Sequence, residues 1–171
     1  MKKLMMIAVM MVVALTVNAQ NEPGKMAIGA NLNYGMHKDY KNIGFGAKFQ
    51  YNITDAIRGE ASGNYFLKKD YMNVWDVNLN FHYLIPVGES CKIYPLVGVT
   101  LMGVKVEVPS FTYEGITYGG GSASDTSVGV NAGAGIEYYL SESFKLNLEA
   151  KYQYTKNCDW PVISIGAAYC F

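Results

Sequence analysis

Pro161-Val-Ile-Ser-Ile-Gly-Ala-Ala-Tyr-Cys-Phe171, the last stretch of the chain, alternates between two kinds of side chain. Apolar or aromatic residues occupy every second position, and small or polar residues lie between them. The residues of the apolar set are Ile163, Ile165, Ala167, Tyr169 and Phe171. A repeat of two residues is typical of a β-strand whose two faces meet different environments. The same repeat therefore serves to read the rest of the chain.

Eight segments with this repeat are found along the sequence. They are Lys25–Gly35, Ile43–Asn52, Ile57–Leu67, Val74–Ile85, Ile93–Val106, Thr126–Leu140, Phe144–Tyr154 and Pro161–Phe171. Their lengths suit the ~9–11 residues that a tilted strand needs to cross a bilayer. Short and longer connections alternate between them, as in a membrane barrel. The prediction is an all-β fold, an eight-stranded antiparallel up-and-down transmembrane β-barrel.

The N-terminus reads as a targeting segment. Lys2 and Lys3 precede an apolar run over 4–17, and Val17-Asn-Ala19 supplies small residues for cleavage. We expect a cleaved signal peptide at 1–19 and a single barrel domain at 20–171. Lys+Arg and Asp+Glu both number 14, which gives no basic surface for nucleic acid.

Aromatic residues on the apolar face fall near the two ends of the strands. At the end near the termini these are Tyr51, Tyr83, Tyr94, Tyr138, Phe144, Tyr169 and Phe171. At the other end they are Tyr34, Phe45, Tyr65, Trp75, Tyr152 and Tyr154. Smaller aliphatic residues lie between them. Two aromatic girdles around an apolar band favour a membrane barrel. A soluble exported lipocalin-like barrel, with the two faces exchanged, is the alternative.

Charged residues lie on the opposite face of the strands. They are Lys48, Arg58, Glu60, Asp76, Glu137, Lys145, Glu149 and Lys151. A buried charge needs a partner, so we expect a neutral network that fills the lumen and leaves no open pore. A register that pairs Lys48 with Glu60, and Gln50 with Arg58, would bring these groups together.

The segment Ile93–Val106 is apolar on both faces, so its facing is not assigned. If Tyr94, Leu96 and Met102 face lipid, then Val97, Val99 and Leu101 line the lumen. Such a patch would suit a small hydrophobic ligand, although filler of a packed core is the favoured interpretation.

The terminal strand, with the other segments, resembles the C-terminal signature of small bacterial outer-membrane β-barrel proteins of the outer-membrane protein A and X type, including the porin-like group. The resemblance implies an outer-membrane location and contact with lipid and lipopolysaccharide. It also implies that the barrel-insertion machinery recognises Ile163, Ile165, Ala167, Tyr169 and Phe171. We expect a structural or surface-interaction role, no enzymatic activity and no cofactor.

Few residues indicate chemistry. His82 is the only strand histidine, and we interpret it as a hydrogen-bonded lumen residue. Glu137 and Glu149 lie beside lysines, which favours a structural network over catalysis. Modification of lipid A remains the enzymatic alternative.

Cys91, Cys158 and Cys170 match no zinc spacing, so no metal site is expected. A bridge between Cys91 and Cys170 is left open, and Cys158 is expected to be free. Residues 107–124 are predicted to form a long outer loop, in which Phe111, Tyr113 and Tyr118 are candidate contact residues.

Overall fold

β-Strands make up nearly all of the chain in the computed structural model, which describes residues 22–37, 41–69, 71–113, 116–156 and 159–171. The strands are β1 (Met26–Met36), β2 (Lys41–Asn52), β3 (Ile57–Lys69), β4 (Met72–Tyr83), β5 (Ile85–Pro86), β6 (Cys91–Tyr113), β7 (Ile116–Ser141), β8 (Phe144–Thr155) and β9 (Trp160–Cys170). No helix in these ranges has the length and apolar character needed to cross a membrane.

Every strand pairs antiparallel with its neighbours, in the order β4-β3-β2-β1-β9-β8-β7-β6-β5. An additional pairing of β4 with β6 closes the sheet. The two-residue β5 continues the line of β4 past Leu84 and pairs with the start of β6. The result is a closed barrel with eight staves, which confirms the predicted fold class.

The last strand closes the barrel between β8 and β1. Ile165 pairs with Leu32 of β1 on one side and with Leu148 of β8 on the other. The main chains of Met26 and Phe171 exchange two hydrogen bonds of 2.9 Å at the end of this ladder. We call the end of the barrel that holds both termini the terminal end, and the opposite end the hairpin end.

The predicted outward face is confirmed for both aromatic girdles with one exception. Tyr94 was expected among the outward rings, but it is 1% exposed inside the barrel. Leu96 and Met102 also face inward, whereas Val97, Val99 and Leu101 are exposed. The apolar lumen patch proposed for those last three residues is therefore wrong.

The register of β6 explains its facing. Residues paired across a ladder share a face of the sheet, and Leu96 pairs with the inward His82. Tyr94 then stacks on the His82 ring, with 4.6 Å between the ring centres. The two-residue period alone could not assign the inward face of β6, because both of its faces are apolar. Only the pairing of β6 with β4 shows which face points inward.

The predicted outer loop at 107–124 is wrong. β6 and β7 continue beyond the barrel as an antiparallel hairpin, paired from Glu107↔Ser122 to Tyr113↔Ile116. The ladder skips Pro109 and the opposite Gly120, and Gly119 and Gly120 adopt φ of 73° and 83°. These left-handed angles favour glycine, so the Gly-rich run accommodates an irregular pairing rather than a loop.

Cys91 and Cys170 are both free. Cys91 begins β6 and Cys170 ends β9, and β7 and β8 lie between these two strands. The bridge that the sequence left open is therefore not formed. Cys158 lies outside the described residues.

Candidate functional site in the barrel lumen

A first layer of buried charges lies at the terminal end of the lumen. Arg58 donates to both carboxylate oxygens of Glu137, at 3.0 and 2.7 Å. Lys145 donates to Glu137 at 3.1 Å, and the Tyr139 hydroxyl donates to it at 3.1 Å. Arg58 and Glu137 are only 0% and 1% exposed. Because Arg58 is on β3 and Glu137 on β7, this pair joins opposite walls of the barrel.

A second layer of charges follows toward the hairpin end. Lys48 lies 4.0 Å from Glu60, and Lys151 lies 3.7 Å from Glu149, measured between nitrogen and oxygen atoms. Lys48 also donates to Asn147 across the lumen at 2.8 Å. The groups meet as expected, but through a different register. Gln50 pairs with Glu60 and Asn52 with Arg58, so the predicted pairing was wrong by two residues.

Asp76 lies apart from these cations, in a layer of amides. It accepts hydrogen bonds from Asn64, at 2.6 Å, and from Asn78. Asn131 and Gln153 each donate to Asn78 at 2.9 Å, which ties β7 and β8 to β4. The eight charged residues picked from the sequence thus divide into two ionic layers and one acid held by amides.

An apolar cluster fills the hairpin end of the lumen, and sequence reasoning missed it. Its members are Phe66, Val74, Met102, Trp160 and Val162. The rings of Phe66 and Trp160 have centres 4.6 Å apart, and the Trp160 nitrogen donates to Gln153 at 3.0 Å. Phe66 and Val74 have the inward parity of Asn64 and Asp76, so continuing the period would have found them.

His82 borders the two ionic layers. One nitrogen of Arg58 lies 3.0 Å from Nδ1 of His82. A guanidinium only donates, so Nδ1 accepts and the ring proton is on Nε2. Nε2 points toward Glu60 at 3.9 Å.

Ligand atoms of Glu60, His82 and Glu149 lie within 4.8 Å of one another, which raises the question of a metal ion. The protonated Nε2 is unsuited to bind a cation. Lys48 and Lys151 already lie against the two carboxylates. The residues present therefore do not fit a metal ion, and the cluster is better described as part of the ionic network.

Lys92, at the start of β6, is a further buried lysine at the terminal end. It is 5% exposed in the lumen, and the sequence did not predict this because β6 had no assigned facing.

Glu107 is a charged residue at the hairpin end. It forms ion pairs with Lys68 and, at 3.0 Å, with Lys105. The hydrogen bond from Lys68, followed by that from Lys105, lowers the pKa of this exposed carboxylate to about 2.

The candidate contact residues all lie in the hairpin. Phe111 pairs with Tyr118, and Tyr113 is the last residue of β6. They are thus placed on strands rather than in the loop that was expected.

Comparison with solved structures agrees with this architecture. The N-terminal β-barrel domain of Pseudomonas aeruginosa OprF is 17% identical, with a TM-score of 0.66 over 87% of this chain and 98% of that one. Ail of Yersinia pestis is 18% identical, with a TM-score of 0.59 over 87% and 99%. OprG of Pseudomonas aeruginosa is 14% identical, with a TM-score of 0.62 over 90% and 99%. At these identities the likeness concerns the fold.

A search of curated proteins finds no match. The family model described as "Outer membrane protein beta-barrel domain" matches residues 5–171. That match covers nearly the whole chain and agrees with the closed barrel and its two aromatic girdles. The chain therefore belongs to the outer membrane protein beta-barrel domain family, and it is a protein of the bacterial outer membrane.

Proposed function

We propose that this outer-membrane barrel is a non-conducting, non-enzymatic surface protein that acts through its β6–β7 hairpin. The observation that carries the proposal is the contrast between the two parts of the molecule. The lumen is crossed by direct contacts between opposite walls, while the hairpin extends past the last rung that joins β4 to β6, Met72↔Val106. The barrel serves as an anchor and the hairpin as the contact surface.

Support for a closed lumen comes from three layers of side chains. The Arg58–Glu137 pair, the contact from Asn131 to Asn78 and the Phe66–Trp160 pair each join different strands across or along the interior. A barrel of eight strands has an interior about wide enough to be filled by side chains. Planar-bilayer recording of the purified protein should give no large stable conductance. A reproducible open level at low voltage would contradict this part of the proposal.

One edge of the hairpin, on β7, lies beyond the ladder to β8. Gly119 and Gly121–Ser124 of β7 pair with β6 on one side, and in the described part of the chain the ladder to β8 begins only at Gly129↔Thr155. The stretch Gly119–Ser124 has no proline and no charged residue. At ~3.3 Å per residue it is roughly 20 Å long.

The opposite edge of the hairpin is less suited to pairing. Pro109 on β6 has no N–H to donate, and Glu107 places a charge on the same strand just beyond the last rung to β4, Met72↔Val106. Proline and charge are common ways of protecting a strand edge. An extended polypeptide would therefore add to the β7 edge through main-chain hydrogen bonds. We propose such a polypeptide as the partner.

Binding of an unfolded chain tests this edge. The probe is a reduced, carboxymethylated protein, and its binding to the folded barrel is measured by fluorescence anisotropy. Replacing 108–121 with Asn-Gly joins the paired residues Glu107 and Ser122 through a two-residue turn. It removes Gly119–Gly121 from the edge and should weaken binding strongly.

A charge-matched pair of variants locates the edge. Ser122→Lys with Ser124→Lys should weaken binding, whereas Val108→Lys with Ser110→Lys on β6 should not. Equal loss in both variants would show that net charge, and not the β7 edge, controls binding.

We also propose that the outward side chains of β9 serve in assembly, with the insertion machinery as the partner. Tyr169 and Phe171 are exposed, and their rings lie 6.4 Å apart. Phe171→Ser should lower the fraction of chain with heat-modifiable mobility in outer-membrane fractions. An unchanged fraction would show that Phe171 has no role in insertion.

The proposed absence of enzymatic activity is tested on lipid A. Lipid A from cells with and without the protein should give identical mass spectra.

A further inference from the structure

Asp76 is a buried acid that has no cation beside it in the described part of the chain. The lumen acids Glu60, Glu137 and Glu149 each form an ion pair with at least one lysine or arginine. Asp76, on β4, forms no ion pair with any described residue, although its side chain is only 1% exposed. A buried charge without a partner is costly, so this carboxylate favours a compensating cation.

The hydrogen bonds of Asp76 all fall on one of its two oxygens. Asn64 donates to Oδ1 at 2.6 Å, and Asn78 donates to the same atom. Oδ2 is buried and has no hydrogen-bond partner among the described residues. Because an ionised carboxyl group only accepts, each of its oxygens can receive donors or bind a metal ion. Oδ2 is therefore an unused anionic oxygen inside the barrel.

Asp76 also determines how the neighbouring amides are turned. Because Asn64 and Asn78 use their nitrogens to donate to the carboxylate, their oxygens accept from the next amides in the layer. Asn31 donates to the oxygen of Asn64 at 3.0 Å, and Asn131 donates to the oxygen of Asn78 at 2.9 Å. The nitrogens of Asn31 and Asn131 thus point toward the amides beside Asp76, and their own oxygens remain.

These two outer amides each leave an oxygen unused. Oδ1 of Asn31 and Oδ1 of Asn131 are buried, and neither accepts a hydrogen bond from any residue that the structure describes. Asn31 belongs to β1 and Asn131 to β7, and each is separated from Asp76 by one amide. The layer therefore offers one anionic and two neutral oxygens that the protein itself does not satisfy.

We propose that the amide layer binds one alkali-metal cation, with Asp76 as its anionic ligand and Asn31 and Asn131 as neutral ligands. Carboxylate and amide oxygens are the ligands that hard cations prefer. A single carboxylate balances a single positive charge, whereas a divalent ion would leave one charge uncompensated in the layer. The bound cation joins β1, β4 and β7, and the site is independent of the hairpin and of its proposed partner.

Sodium chloride is the probe for the test, and choline chloride keeps the ionic strength constant so that screening does not change. The barrel is folded in each salt mixture, in vesicles of zwitterionic phospholipid, and its urea midpoint is measured by tryptophan fluorescence. The midpoint should rise with sodium concentration, because a ligand that binds only the folded state stabilises it. The ²³Na line width of the native barrel should show saturable binding at one site.

A matched pair of variants locates the site. Asp76→Asn keeps the size of the side chain and removes its charge, so it should abolish the dependence on sodium. Glu60→Gln removes a carboxylate that already lies against Lys48, and it should leave the dependence unchanged. Asn31→Ala and Asn131→Ala should each lower the sodium affinity about tenfold or more, the loss typical of a change near a bound metal. Heat-modifiable mobility confirms that each variant is folded.

The proposal is overturned if the midpoint is the same in sodium and choline chloride and the ²³Na line shows no saturable binding. It is also overturned if Asp76→Asn keeps the dependence on sodium, or if Asp76→Asn and Glu60→Gln lose it equally, since general electrostatics would then explain the effect. A midpoint that rises with calcium chloride at the same ionic strength, and not with sodium chloride, would overturn the assignment to a monovalent cation.

Discussion

Glu137 and Glu107 provide a matched test of how burial changes the contribution of an ion pair to the free energy of unfolding of this protein. Each carboxylate contacts two cations, Arg58 and Lys145 for Glu137, and Lys68 and Lys105 for Glu107. Glu137 is almost fully buried, whereas Glu107 lies on the exposed hairpin. The perturbation is the same in both cases, Glu→Gln, which keeps the shape and removes the charge.

The magnitude for Glu137 follows from its contacts. The new amide would turn one oxygen acceptor into a donor that faces Nη1 of Arg58 at 2.7 Å and Nζ of Lys145 at 3.1 Å. Two hydrogen bonds to a charged group are lost, each worth about 1.5–3 kcal/mol. Breaking a buried ion pair costs about 3–5 kcal/mol by independent measurements on other proteins. We therefore expect Glu137→Gln to lower the free energy of unfolding by about 3–5 kcal/mol.

Glu107→Gln should leave the free energy of unfolding nearly unchanged, since water screens exposed ion pairs. The assay is reversible urea unfolding in phospholipid vesicles, followed by tryptophan fluorescence, with heat-modifiable mobility as a second probe. An unchanged slope against urea shows that the two-state comparison holds. Equal effects of the two variants, or a loss below about 1 kcal/mol for Glu137→Gln, would refute the argument from burial.

Three further predictions use the same unfolding assay or simple chemistry. Trp160→Ala should lower the free energy of unfolding by about 3–5 kcal/mol, because it removes the largest side chain of the apolar cluster. Trp75 remains as the fluorescent probe. A small change in the free energy of unfolding would mean that the cluster collapses to fill the space. Gly46→Ala should destabilise the barrel, since a Cβ there would lie 2.0 Å from the Asn64 side-chain oxygen and 2.6 Å from a backbone oxygen, whereas Gly63→Ala has no atom within 4 Å and should be neutral. Alkylation of the unfolded chain without reductant should modify both Cys91 and Cys170; mass spectra that show either residue unmodified would contradict their free state.

Much of the fold was readable because a membrane barrel imposes the same alternation on every strand. β2 and β8 show it without interruption, and the bounds of β2, β8 and β9 were predicted within two residues of those observed. The hairpin was misread for a physical reason. Gly and Ser favour turns in water, but the run 119–127 pairs with β6, and that main-chain pairing overrides the local preference.

The sequence predicted which residues face the lumen but not which of them contact each other. Inward parity identified Arg58, Glu60 and Glu137 as lumen residues, and all three are buried. Their partners depend on the stagger between strands and on which walls face each other across the barrel. No local pattern records those distances, so the predicted register was off by two residues and the contact from β3 to β7 was not foreseen.

The sequence by itself determined which residues alternate, and hence the eight staves, the two aromatic girdles apart from Tyr94 and the position of Phe171 at the end of the closing strand. Those features depend on side-chain period and composition, which are local. Only the tertiary structure decided that Tyr94 faces inward, that Arg58 meets Glu137, and that three cations gather at the terminal end. Such contacts join strands far apart in sequence, and closure of the sheet alone brings them together.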